Sequence, residues 1–272
     1  MKLVTKSVII LSGIFLVAVS CRQAGRSEQV TTDQEMVQKS EIDEDLKEIV
    51  NPLPEPFEVY SMLEDIGASY LGKVLNPVDH ADRYFSQKSK AVNIGVYAAD
   101  LGYAATYNKQ DDIKTISKTL KSLVDDLGIS VDYSMLQDET AKAARIDKDT
   151  LIAVISDVYY DTYSFLYKES TPELSALMAA GAWTEGVFIA THISDDTFNN
   201  TDIVEIIYDQ SKSLDSLIEY LEKFSKDEMV LSLTNAFKKL KEQYDATEGS
   251  LTKEQLEDIT STIETIRDSI IS

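Results

Sequence analysis

Two stretches of this chain constrain what it can fold into more than any others: residues 91–107 (AVNIGVYAADLGYAATY) and 177–192 (LMAAGAWTEGVFIATH). Each is long enough for four or more helical turns. Each is apolar nearly all round, whereas a helix at a protein surface carries a single apolar stripe, so both are expected inside the fold. Helical spacing sorts the first stretch into three faces. Ala91, Gly95, Ala98, Gly102 and Ala105 form a ridge of small residues, which lets a second helix approach closely. Val92, Val96, Ala99 and Tyr103 form a bulkier stripe, and Asn93, Tyr97, Asp100 and Tyr107 a third. Gly95 and Gly102 each cost about 1 kcal/mol of helix propensity relative to Ala, and close packing is the expected compensation. The second stretch echoes the first. Gly181 lies 86 residues after Gly95, and the same offset sets Trp183 on Tyr97, Val187 on Leu101 and Ala190 on Ala104.

The polar residues of these two helices are the candidate ligand-binding set: Asn93, Tyr97 and Asp100 on one, Trp183, Glu185 and His192 on the other. A carboxylate in so apolar a helix must be hydrogen-bonded, ion-paired or protonated. Asp100 is therefore either a structural acid, bonded by a neighbouring Tyr, Asn or Lys, or a functional carboxylate lining a pocket. Glu185 falls beside Asp100 in the alignment, not upon it. It shares a helical face with His192, two turns or about 10 Å away, a gap that a ligand or a third side chain can bridge. The plainer reading of His192 is a ring at a helix end beside a loop.

The chain begins like an exported lipoprotein. Lys2 and Lys6 precede an apolar run over 8–19, too short and too early for an ordinary spanning helix. The run ends Ala18-Val19-Ser20-Cys21, which resembles a bacterial lipobox, and Cys21 is the only cysteine. Residues 1–20 thus read as a signal peptide and Cys21 as the lipidation site. Acyl chains contribute about 0.8 kcal/mol per buried methylene, so two or three hold a protein firmly to a membrane. Residues 21–51 read as the lipidated Cys and a flexible, polar tether. Arg22-Gln-Ala-Gly-Arg26 supplies no acidic run directly after Cys21, which favours the periplasmic face of the outer membrane over the cell surface.

Residues 52–272 read as one all-α domain, a multi-helix bundle. Helical periods run over 57–75, 91–107, 111–127, 131–146, 150–168, 203–224, 226–244 and 252–271, with a short turn at 79–85. Thr171-Pro172 opens the second central helix, and Thr252 with Gln255 three residues on suits a capping box. No stretch alternates with the period of a strand. The formal net charge is −21, and removing 1–20 takes two lysines and no acid, so nucleic acid is an unsuitable partner. With one Cys there is no internal disulfide and no thiolate metal site. His80 and His192 belong to no zinc or di-iron motif, and there is no nucleophile elbow, P-loop or dinucleotide fingerprint. Asp157 and Asp161, one turn apart among tyrosines, suit a solvated helix edge better than a cation site. No metal or cofactor is expected.

Three pairs of segments point to two related helical halves, 52–130 and 131–224, with a C-terminal hairpin at 225–272. Tyr60-Ser-Met-Leu-Glu-Asp echoes Tyr133-Ser-Met-Leu-Gln-Asp, the two glycine helices match, and residues 118–127 echo 212–221. The offsets of 73, 86 and 94 exclude a strict period. Over 52–224, the runs NPLPEPFEVYSML, KAVNIGVYAADLGYAATYN, DDLGI and AAGAWTEGVFIAT resemble those of a group of uncharacterised all-helical lipoproteins of Bacteroidetes. The resemblance implies a lipid anchor and an all-α body and carries over no catalytic residue. The expected role is a lipid-anchored protein-interaction module without enzymatic activity. The alternative is a small-ligand or cation binder at the six residues above.

Overall fold

The computed structural model describes residues 57–131, 133, 136, 147–194 and 197–272. The signal peptide, Cys21, the tether and most of the helix expected over 131–146 lie outside the described residues. The rest is helix and loop, with no strand among the described residues. In chain order the helices are α1 (Glu58–Asp65), α2 (Gln87–Thr106), α3 (Gln110–Asp126), α4 (Lys148–Phe165), α5 (Pro172–His192), α6 (Thr201–Glu222), α7 (Glu228–Asp245) and α8 (Lys253–Ile271). The protein is an all-α multi-helix bundle.

Helices α2 and α5 make the largest interface in the fold, and the others pack around them. Every residue of α2 from Ala91 to Thr106 is buried. Helix α5 has the length and apolarity of a membrane span, but its residues face the interior of the bundle. The two helices touch backbone to backbone. A Cβ on Gly95 would overlap the Met178 carbonyl, and a Cβ on Gly181 would overlap the Val92 carbonyl. Met178 follows Val92 by the same 86 residues that separate the glycines, so exchanging the helices turns one contact into the other. The small ridge of α2 serves two partners. Gly95 admits α5, while Gly102 admits the ring of Phe57, whose atoms fill the space where a Cβ would stand.

The outer helices follow their apolar faces. Helix α3 buries Ile113, Ile116, Leu120, Leu123 and Val124, and Gly128 ends it in the left-handed region at φ 74°. Asp147 caps α4 through the Thr150 N–H, and Thr252 and Gln255 form a capping box at α8. Asp157 and Asp161 are exposed on α4.

The helix expected over 57–75 is wrong in its second half. Helix α1 stops at Asp65, Gly67 turns the chain at φ 79°, and 3-10 turns follow at Gly72–Val74 and Val78–Arg83. The cause is tertiary. Residues 71–77 form a strap whose main chain bonds to core side chains. The Leu71 N–H donates to Tyr103 Oη (2.8 Å) and the Asn76 N–H to Asp100 Oδ2 (3.0 Å). The Val74 carbonyl accepts from Arg267 Nη2 (3.2 Å) and the Pro77 carbonyl from Tyr97 Oη (2.9 Å). A helix would close such groups into its own ladder and take these bonds from Tyr103, Asp100, Arg267 and Tyr97.

Candidate functional site

Three helices deliver charged side chains to one point inside the bundle. Helix α2 supplies Asp100, α5 supplies Glu185, and α8 supplies Arg267. Asp100 and Glu185 are both 0% exposed and Arg267 is 7% exposed. Arg267 grips Glu185 with two parallel bonds, Nε to Oε2 at 2.6 Å and Nη2 to Oε1 at 2.7 Å. Its guanidinium also lies over the Phe188 ring, 3.9 Å from the centroid. Burial works against the guanidinium charge, and Glu185 and Asp100 outweigh it, so Arg267 stays a cation.

Asp100 lies near enough to Glu185 and Arg267 to feel both charges. Glu185 holds the buried guanidinium by direct bonds, and Asp100 acts on it through its charge. Burial, then the charge of Glu185, holds the Asp100 carboxyl well above the usual carboxylate range, against the opposing pull of Arg267 and the Asn76 N–H. Asp100 is thereby biased toward its protonated form. Tyr60 of α1 completes the surroundings. Its hydroxyl is buried and pushed far above the ordinary phenol value by burial, Asp100 and Glu185, so it stays protonated. Tyr60 Oη and Asp100 Oδ1 have no hydrogen-bond partner among the described residues.

The six candidate residues fall in four places. Asp100 and Glu185 meet. Asn93 and Tyr97 lie on the same helix as Asp100 but serve chain ends and strap: Asn93 Nδ2 donates to the Ser89 and Ile270 carbonyls, both at 2.9 Å, and Tyr97 reaches Pro77. Tyr84 accepts from Asn76 Nδ2 and donates to the Ile271 carbonyl, so two side chains satisfy the otherwise orphaned carbonyls at the end of α8. Trp183 turns away, donating to Ser213 Oγ on α6 (2.8 Å) with its ring edge-on to Phe237 of α7. His192 bonds Glu264 through Nε2 (2.9 Å) and stacks on Phe188 at 4.0 Å between centroids. Two side chains span the gap from Glu185 to His192: Arg267, bonded to Glu185, lies over Phe188, and the imidazole stacks on Phe188.

Sequence reasoning missed Arg267, Tyr60 and Asn76. Arg267 left a signal, because it sits among Ile263, Ile266 and Ile270 on the apolar stripe of α8, where a cation needs a buried partner. Chemically, a carboxylic acid beside a carboxylate is an acid–base pair. In this fold its strong contacts are all internal, and what it does is hold α2, α5, α8 and the strap together. Among the described residues no three of His, Cys, Asp and Glu stand close enough to hold one metal ion. Compared with family models, curated proteins and solved structures, the chain matches none.

Proposed function

We propose that this chain is a lipid-anchored protein of the bacterial envelope, tethered through Cys21 at the periplasmic face of the outer membrane, which acts by binding another protein rather than by catalysis. The reading rests on the Asp100–Glu185–Arg267 cluster. The charged groups of the helical core are buried, with Glu185 bonded to Arg267 and Asp100 to the strap, which suits a scaffold better than a site that must admit substrate. The lipobox-like run before Cys21 supports the anchor. Expression of the full chain in a Gram-negative host with an alkyne fatty acid tests both parts. The expected result is label on the chain, its loss in Cys21→Ser, and co-extraction of a stoichiometric partner in mild detergent. A bare Cys21 thiol in mass spectra, or a chain extracted only by itself after cross-linking, overturns the reading.

A second reading, a small-ligand or cation site at Asp100 and Glu185 that draws on Asn93, Tyr97, Trp183 and His192, is favoured by one observation: Tyr60 Oη and Asp100 Oδ1 are buried without partners. A polar guest bonded to both oxygens would restore what burial removed.

A further inference from the structure

A cleft lies away from the buried cluster, between the first turns of α6 and the turn that joins α7 to α8. It encloses about 510 Å³, within the range of small-molecule sites. Val204 and Leu251, both buried, form its floor. Phe198 and Tyr208 stand among its walls, and Gly249 turns the chain at its end with φ 83°. Phe198 is one of the few large apolar side chains left markedly exposed, at 37%. An aromatic ring held open at the mouth of a cleft is ready for a ligand surface.

The charge of the lining has one sign. Glu205 and Asp209 are one helical turn apart on α6, and among the described residues no Lys, Arg or His lines the cleft. Lys212 reaches Asp209 Oδ1 at 2.8 Å from outside, with its own side chain 74% exposed, so it screens one of the two carboxylates. Carboxylates beside aromatic faces over an apolar floor recognise an ammonium group on an apolar body: the carboxylates and ring faces take the charge and the floor takes the body. We propose that this cleft binds small organic cations, amines carrying an aromatic or aliphatic group. The proposal does not depend on the anchor or on a protein partner.

The test uses the full chain in detergent micelles and three probes of one shape: phenethylamine, 2-phenylethanol and phenylacetate. Ligand-detected NMR reads binding, and thermal shift confirms that each variant is folded. Phenethylamine is expected to bind saturably, the alcohol more weakly and phenylacetate not at all. Glu205→Gln should weaken the amine about threefold and Lys212→Met should strengthen it about threefold, as expected for one partly exposed charge each. The Lys212 variant separates this cleft from general attraction to an acidic protein, because removing a surface lysine matters little unless the amine sits beside Asp209. Equal binding of phenylacetate and phenethylamine, no saturable amine binding, or indifference to both substitutions overturns the proposal. So does binding confined to basic peptides.

Discussion

Replacing Gly95 with Ala adds one methyl group at the point where α2 and α5 touch. That methyl would stand 2.8 Å from Ala182 N and 2.9 Å from the Met178 carbonyl carbon, and nearer still to the carbonyl oxygen. All three are backbone atoms of a buried helix, so no side chain can swing aside, and the helices must separate. Overpacking of this kind costs about 3 kcal/mol, the upper part of its usual range, because the obstacle is rigid. Helix propensity returns about 1 kcal/mol, leaving a net loss of about 2 kcal/mol. Gly186→Ala is the control. On α5, the other interior helix, its methyl would meet Val59 Cγ1 at 3.6 Å and Tyr60 Oη at 3.7 Å, ordinary contact distances. It should stabilise the protein by up to about 1 kcal/mol. Urea unfolding followed by Trp183, the only tryptophan and 6% exposed, reads both variants. Gly95→Ala with Gly181→Ala should cost clearly less than the sum of the two, since one separation of the helices relieves both overlaps. A Gly95→Ala protein as stable as Gly186→Ala would refute the close-contact argument.

Asp100→Asn keeps the shape of the side chain and supplies an N–H toward Glu185 without needing a proton. Because the folded carboxyl is raised above its unfolded value, the wild type keeps this group's contribution below about pH 4 and loses about 1.4 kcal/mol per pH unit above it, until the folded carboxyl ionises. Urea midpoints should therefore move in favour of the variant as pH rises from about 4, and parallel curves would show that Asp100 is ionised in the fold. Arg267→Met alone should cost about 3–5 kcal/mol by leaving Glu185 buried and unpaired, whereas Arg267→Met with Glu185→Met should recover most of that loss, read by the same unfolding assay.

The glycine helices were legible because their composition contradicts local preference. A glycine in a helix interior is costly, and two in an apolar stretch need a close neighbour to offset them. The offset set Glu185 beside Asp100 in the alignment, one residue out of register, but did not say that the two would lie near each other in the fold. Trp183 did not join them, for a reason visible in the spacing: two residues along a helix turn the side chain through about 200°, so Trp183 and Glu185 face nearly opposite ways. Residues 66–75 keep a helical period of apolar positions, Ile66, Tyr70, Leu71 and Val74, yet form no α-helix. No local pattern reports that Asp100, Tyr103, Tyr97 and Arg267 will need backbone groups from that segment. Arg267 was readable by itself, but its partner lies 82 residues away, and a helix face does not name what it packs against.

The strap at 71–77 is anchored to the core through two amide hydrogens and two carbonyl oxygens, which nearly every amino acid supplies in the same places. At its exposed positions, Gly72, Lys73 and Pro77, spelling is therefore freer than length, whereas buried Val74 and Asn76, whose side chain bonds Tyr84, are held. In descendants of this sequence, substitutions should gather at those three positions while insertions and deletions are purged, because a slip of one residue unhooks four anchors at once.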